Sequence, residues 1–366
     1  STTGCSGSWT DIFPAATGTS YTPTALTATT HYRVKVTSTL NAVACTDVFS
    51  NCVEVTFTGK EWNGSVSTDW NNPNNWTPNG IPSAIHCVTI PNVTNDPIIQ
   101  GTNYDAFAYN LSILAGGKLE VDSSNNITVT DFVNVNATGL FDIKNNANLI
   151  QINNGNINTG NIKYSRTTRL MTRYAYVYWG SPVEQNIISQ IPTQFDLKYK
   201  WEPNTGIPDG TWLPLSATTR GEGFITRVKT NAGTTPTNIT LNYSGTSNNG
   251  NYNATIKYYD NQHNAFRNFT LLGNPYPGAI KFEDFYNDNR DKIYGTVYLW
   301  SANTPYPGSG LYQQADYASF NLTGGVGVPS ATTQSPNGIL PNGYIASAQG
   351  FMVRPKVNGT VLFTNK

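Results

Sequence analysis

The chain has 366 residues, enough for two to four domains by the usual length prior, yet only 12% of them are charged, about half the typical share of roughly 25%. Its 22 Lys and Arg balance its 22 Asp and Glu, and no basic stripe interrupts that balance, which argues against nucleic acid as a partner. An apolar share of 38% without net charge excludes general disorder, and no apolar run approaches the roughly 18 residues that a membrane-spanning helix needs.

Asn, Thr, Ser and Gly supply most of the polarity and suit turns and exposed strand faces. The 21 Tyr, 15 Phe and 8 Trp favour strands. Long amphipathic helical patterns are missing, and the best helical window is short, around Phe282 to Tyr286. The chain reads as all-β. It begins Ser1-Thr-Thr-Gly-Cys5, without Met or a signal peptide, as expected of a mature or truncated product. Cys5, Cys45, Cys52 and Cys87 fall in the first quarter. An even number in such a chain points to disulfides and an oxidising compartment. Three pairings are open, and buried free thiols are the rival reading.

Residues 1–58 read as part of an immunoglobulin-like sandwich. His31 to Thr37 alternates, with Tyr32, Val34 and Val36 on one face, and Val53 to Phe57 alternates again. Two such runs joined by a polar connection predict an antiparallel hairpin, and Trp9 is placed to fill its core. About three strands fit here, whereas a full sandwich needs about seven, so the chain is expected to begin inside a domain.

Gly59-Lys60 marks a boundary. Beyond it, Trp62, Trp70 and Trp76 stand among Asn and Pro. One reading is an aromatic platform that binds sugar. The preferred reading is a cap, because the next segment has the pattern of a β-solenoid and its end needs covering. Ile113 to Val121 aligns with Val135 to Ile143 at a shift of 22 residues, which suits one coil of stacked strands. Asn125, Asn126, Asn145 and Asn146 are expected at corners that need a left-handed backbone. Many polysaccharide lyases use such a frame, but Glu120, Asp122, Asp131 and Asp142 are scattered along it.

The last half contains one β unit used twice. Trp179-Gly-Ser-Pro182 returns as Leu272-Gly-Asn-Pro275, Tyr199-Lys-Trp201 as Tyr298-Leu-Trp300, Gly223-Phe-Ile-Thr-Arg227 as Gly350-Phe-Met-Val-Arg354, and Ile239-Thr-Leu241 as Val361-Leu-Phe363. The offset grows from 93 at the Pro to 99 at the Trp and 127 at the Gly-Phe. The second copy therefore carries an insertion of 28 residues (127 − 99) between Ser301 and Gln349. This insertion reads as a loop with Pro305, Pro307, Gly324-Gly325 and Pro336-Asn-Gly338, and its Tyr306, Tyr312 and Tyr317 are the first candidates for binding a ligand. Arg227 and Arg354, at equivalent places, read as braces within each sandwich. The expected domains are thus 1–58, a partial immunoglobulin-like domain; 59–164, a Trp-capped β-solenoid; and two tandem jelly-roll-like β-sandwiches over 165–258 and 259–366.

Catalytic signatures are missing. His31, His86 and His263 lie far apart, and no HExxH, CxxC, G-x-S-x-G or phosphate-binding glycine loop occurs. No catalytic residue and no cofactor is expected. Glu283, Asp284, Asp288 and Asp291 could hold Ca2+ through oxygen ligands, but a solvated turn accounts for them better. Asp260 with His263 has the same standing.

The block Leu271-Leu-Gly-Asn-Pro-Tyr-Pro-Gly-Ala-Ile280 resembles a segment of large surface proteins of gliding Bacteroidota. So do Gly295 to Trp300, Asp316 to Leu322 and Gly343 to Phe351. Thr30 to Phe57 is similar to immunoglobulin-like repeats of gliding-motility adhesins, and Trp70 to Trp76 to a block found between them. The resemblance covers most of the chain. It implies a secreted, outer-membrane-associated adhesin or adhesin-like structural protein exported by the type IX secretion system. Its partners would be the translocon or outer-membrane motility components, with surface glycans as further ligands. In that family the module precedes a C-terminal sorting domain, whereas this chain stops at Thr364-Asn-Lys366. That domain is therefore expected to be cleaved, separate or not included. The rival readings are a carbohydrate-binding or carbohydrate-active secreted protein and a scaffold subunit of the secretion or motility machinery.

Overall fold

A computed structural model describes residues 4–12, 29–56, 58–203, 210–258, 268–302, 304, 306, 312, 316–326 and 340–365. The described strands and their sheets make the fold all-β, with one α-helix among them. The chain divides into two compact units, Ser1–Lys60 and Glu61–Lys366.

In the first unit, one hairpin carries three successive antiparallel pairings. Thr30–Tyr32 pairs with Val53–Val55, Lys35–Val36 with Val48–Phe49, and Thr39–Leu40 with Val43–Ala44. It turns at Asn41 and Ala42, both at positive φ (52° and 63°), the geometry that matches the twist of paired strands. A disulfide joins Cys5 to Cys52. The expected buried face is not seen, since Val34 and Val36 are exposed. Trp9 is half-buried, with the Arg33 guanidinium 4.2 Å from its ring centre and 3.9 Å from that of Phe49.

The second unit opens with a parallel β-solenoid of about four turns. One face stacks Cys87–Ile90, Asn110–Ile113 and Val133–Val135. A second stacks Ile98–Ile99, Lys118–Val121, Leu140–Ile143 and Ile162–Thr167. A third stacks Asp105–Ala108, Asn126–Val129 and Asn148–Gln151. Inward residues form ladders such as Leu119–Phe141–Ile162 and Ala106–Ile127–Leu149, all buried. A shift of one residue would turn each ladder to solvent, so burial sets the register. The corners match expectation at Asn146 and differ at the other asparagines. Asn146 and Ser124 take positive φ (64° and 65°). Asn125 is instead buried, with its carbonyl accepting from the Tyr104 backbone and its amide donating to Asp122 and Ser123. Asn126 lies in a strand, and Asn145 accepts from the Thr167 backbone.

The strand Ile162–Thr167 runs through the expected boundary at 164/165. It lies parallel to Leu140–Ile143 on one side and antiparallel to Thr240–Gly245 on the other. One sheet therefore passes from the solenoid into the first sandwich, and a single apolar core follows it from Trp62 to Tyr243.

Both sandwich copies share one topology. In the first, the sheet order is Tyr176–Trp179, Phe224–Val228, Phe195–Glu202, Thr211–Pro214. In the second it is Thr270–Gly273, Gly350–Pro355, Ile293–Trp300, Tyr317–Asn321, with Gly324–Val326 added at the edge. The insertion is thus not all loop, since part of it builds a hairpin. Each copy also pairs its first strand with its last: Ile162–Thr167 with Thr240–Gly245, and Tyr252–Ile256 with Gly359–Phe363. The helix Phe282–Asn289 of the second copy stands where the first has only a short 3-10 turn at Ile188–Gln190. Glu283 and Asp284 in its first turn favour its positive end.

The two copies dock through equivalent residues. Gly180 donates to Ala348 and Gly273 to Gly221 (2.8 and 3.0 Å). Trp201 Nε1 donates to the Phe269 carbonyl, and Trp300 Nε1 to the Tyr176 carbonyl (2.7 and 3.1 Å). Trp179 bridges Gln349, and Glu222 bridges Leu272. Applying the offsets of 93, 99 and 127 exchanges the members of each pair. Tyr178, Ile225, Leu271 and Met352 form the apolar centre, again as two equivalent pairs. This is the self-complementary contact of a two-fold dimer, formed here within one chain. Close approach requires glycine at the centre: a Cβ on Gly273 would lie 2.6 Å from the Gly180 Cα.

Candidate functional site

The three tryptophans of the N-terminal segment are buried, Trp62 and Trp70 fully and Trp76 to 2% exposure. They pack edge to face, with centroids 5.0 Å (Trp62–Trp76) and 4.7 Å (Trp70–Trp76) apart. Trp62 Nε1 donates to the Asn95 carbonyl and Trp76 Nε1 to the Trp70 carbonyl. Gly59–Trp62 and Trp76–Thr77 extend the first solenoid face, and Asp69 bridges Ile98 at the start of the second. The rings plug the first coil. With no ring face open, they cannot serve as a sugar platform, which corrects their candidacy as ligand-binding residues.

Tyr306, Tyr312 and Tyr317 are half-buried and packed against the first copy. Tyr317 and Tyr178 share a hydroxyl hydrogen bond of 2.6 Å. Tyr312 donates to the Tyr174 carbonyl (2.8 Å) and stacks on Tyr306 at 4.3 Å. These side chains tie the second copy to the first. Pro305, Pro307, Pro336, Asn337, Gly338, Asp260 and His263 lie outside the described residues.

The acidic group near 283–291 does not converge. Glu283 pairs with Lys281 at 2.8 Å, and Asp288 accepts from Thr364. Among the described residues no group of three or more His, Cys, Asp or Glu could hold a metal ion. Of the four cysteines, Cys5 and Cys52 are bonded, Cys45 is an exposed free thiol, and Cys87 is a partly exposed one. Arg227 does brace its sandwich, through a two-pronged ion pair with Asp196 (3.0 and 2.9 Å). Arg354 lies over the Tyr294 ring at 4.2 Å.

The Asn274-Pro-Tyr-Pro-Gly278 block is a buried corner. Asn274 donates to the carbonyls of Gly278, Ile345 and Ala346 and accepts from the Tyr276 backbone. Its far side covers the last strand of the third solenoid face: Leu149 donates to the Pro277 carbonyl, and Ala279 to the Asn148 side chain.

A cleft of roughly 420 Å³ opens where the two copies meet, within the range of small-ligand sites. Arg166 and Arg169 enter it from the end of the strand shared with the solenoid. Tyr176 and Trp300 give it aromatic walls, and Asn342 and Gln349 bring amide groups. Arg166 donates to the Ser347 carbonyl and lies 5.6 Å from the Trp179 ring centre. Arg169 donates to the Ala302 carbonyl, and its Nε is buried without a partner. Burial holds both guanidinium pKa values below the ordinary arginine range. The carboxylate acting on Arg169 is Asp316, whose oxygens accept from Thr304. Neither arginine forms an ion pair with a described residue. The described lining contains no carboxylate, His or Cys, so it offers positive charge and flat apolar surface, but no general base and no nucleophile beyond hydroxyls.

Sequence reasoning passed over these arginines, although one signal was present. From 143 to 183 there is no Asp or Glu, while Lys144, Lys163, Arg166, Arg169 and Arg173 all fall in that stretch. Lys144 and Lys163 pair with Asp142 in the fold, and Arg173 lies near the Tyr174 ring. Arg166 and Arg169 are left facing the cleft.

No curated protein matches the chain, and no solved structure does. Residues 1–59 match the family DUF8696, and residues 61–366 match DUF8693, each described as a domain of unknown function. The second match spans well over half of the chain, which therefore belongs to the DUF8693 family.

Proposed function

We propose that this chain is a non-catalytic, adhesin-like structural part of a cell-surface protein exported by the type IX secretion system, acting in surface attachment or gliding. The observation that carries this reading is the continuous core from Trp62 to Tyr243. It fuses a plugged solenoid to an internally symmetric sandwich pair, so that force entering one part is borne by strand pairing and packed side chains in the next. The resemblance of Leu271 to Ile280 and Gly343 to Phe351 to surface proteins of gliding Bacteroidota supports the same reading, as does the disulfide in the first unit. Adhesion by such a part is multivalent, with weak contacts adding through effective concentration.

The test is protease shaving of intact source cells with antibody detection of this chain, paired with an adhesion assay of cells lacking it. Surface-accessible chain and reduced attachment or gliding are expected. Protection in intact cells, or normal attachment and movement without the chain, would sink the reading. A pull-down from outer-membrane extract separates adhesin from scaffold: stoichiometric capture of secretion or motility components favours the scaffold.

A further inference from the structure

We propose that the cleft between the two sandwich copies binds an acidic sugar, with its carboxylate held by Arg166 and Arg169. This goes beyond the adhesive role and stands on the cleft alone. Three observations converge. The first is charge without an ion pair: two guanidinium groups line the cleft, the Asp316 carboxylate acts on Arg169 without forming an ion pair with it, and the Nε of Arg169 is a buried donor with nothing to bond. A buried donor is costly to leave unmade, and a planar guanidinium is matched in geometry by a carboxylate.

The second is the loss of symmetry. Arg166 stands opposite Leu241, and Tyr252 stands opposite Phe363, the residue equivalent to Leu241. The second copy thus has Tyr252 where the first has Arg166. Across the sheets, Ala318 stands opposite Leu299, where the first copy has Leu213 opposite Lys200. A small residue at 318 helps leave the gap on the arginine side. The reciprocal docking contacts are kept on both sides, but the arginine beside Tyr252, Arg220, is paired with Glu184 at 3.0 Å, whereas Arg166 and Arg169 have no such ion pair among the described residues.

The third is the rest of the lining. Tyr176 and Trp300 give the cleft apolar ring surface of the kind that suits the C–H face of a pyranose, held in place by packing on Tyr312 (5.1 Å) and Tyr178 (5.8 Å) respectively, while Asn342, Gln349, Ser301 and Thr168 bring polar groups for hydroxyls. An inorganic anion would use the arginines and leave the walls idle; a neutral sugar would use the walls and leave the charges unmet.

The experiment is a titration of the whole chain, Ser1–Lys366, with galacturonate and with galactose, read by tryptophan fluorescence and by calorimetry. Saturable galacturonate binding that weakens as ionic strength rises is expected, with galactose at least about tenfold weaker, as the loss of a charge-assisted hydrogen bond implies. Arg169→Gln should weaken galacturonate about tenfold, with some lowering of the unfolding midpoint because the Ala302 carbonyl loses its donor. Ala318→Leu, which restores the residue of the other copy, should block binding without touching either arginine. No saturable galacturonate signal from the wild-type chain overturns the proposal. So does galactose binding as tightly as galacturonate, or unchanged affinity in a folded Ala318→Leu variant, which decides the matter if Arg169→Gln fails to fold. Sulfate binding as tightly as galacturonate would overturn the sugar and leave only an anion site. None of these outcomes bears on export or surface location.

Discussion

The first sandwich copy borrows its second layer, and the second copy builds its own. In the first, Ile162–Thr167 and Thr240–Gly245 belong to the solenoid's sheet, and Trp179, Phe224 and Tyr243 join the solenoid's core. In the second, Tyr252–Ile256 and Gly359–Phe363 stand as a separate pair, and Phe282, Phe285, Phe351 and Phe363 close a core around the helix. The same topology thus survives with two different backings. What is common to the copies is the face by which they dock; what differs is what each copy carries behind and beside that face.

Substitutions at equivalent positions can break this comparison. Trp179→Ala should cost about 3–5 kcal/mol and Leu272→Ala about 2–5, since both side chains are fully buried. Their reach should differ. Hydrogen exchange is expected to rise in Lys118–Val121 and Leu140–Ile143 for the first and in Phe282–Asn289 for the second. Equal patterns would show that the two cores act as one.

Gly273→Val puts a side chain against the Gly180 backbone, which cannot give way. A loss of about 3 kcal/mol is expected from such overpacking, read as a lower denaturation midpoint. The reciprocal Trp201→Phe and Trp300→Phe variants each leave a carbonyl without its donor and should cost about 1–2 kcal/mol apiece. Closely similar values from chemical denaturation would confirm the pseudo-symmetric docking. A large inequality would show that one contact is incidental.

The smallest expected effect is pH-dependent and confined to the first copy. Burial raises the Asp196 pKa, but the Arg227 fork outweighs it and holds the carboxyl below its ordinary value. A depressed carboxylate pKa contributes stability above the unfolded value of about 4 and loses it as pH falls through the folded value. The pair is partly exposed, so about 1 kcal/mol is expected. Asp196→Asn should flatten the acid limb of the stability profile by that amount. The second copy has Gly295 at this place by the offset of 99 and should add no such term.

Much of this architecture was legible beforehand because it depends on short sequence distances. The 22-residue shift named the stacked strands, with Leu119 on Phe141 and Val121 on Ile143 in register. Four recurring blocks named the two sandwich copies, and a lone helical window named the helix. Of the corner asparagines, Asn146 takes the left-handed conformation as expected and the others do not, because composition marks a corner without saying which residue turns; Ser124 takes it where Asn125 turns inward.

The all-β class, the solenoid period and the duplication are readable from the chain alone, since they are set by the spacing of apolar side chains along it. Tertiary packing settles that the two copies dock face to face through equivalent glycines and tryptophans, that the aromatic trio faces inward, and that Arg166 and Arg169 line one cleft. Those outcomes depend on which faces come together. That is governed by close packing between residues distant in the chain, 68 positions apart for Trp201 and Phe269 and 181 for Arg166 and Ser347, and no local pattern records it.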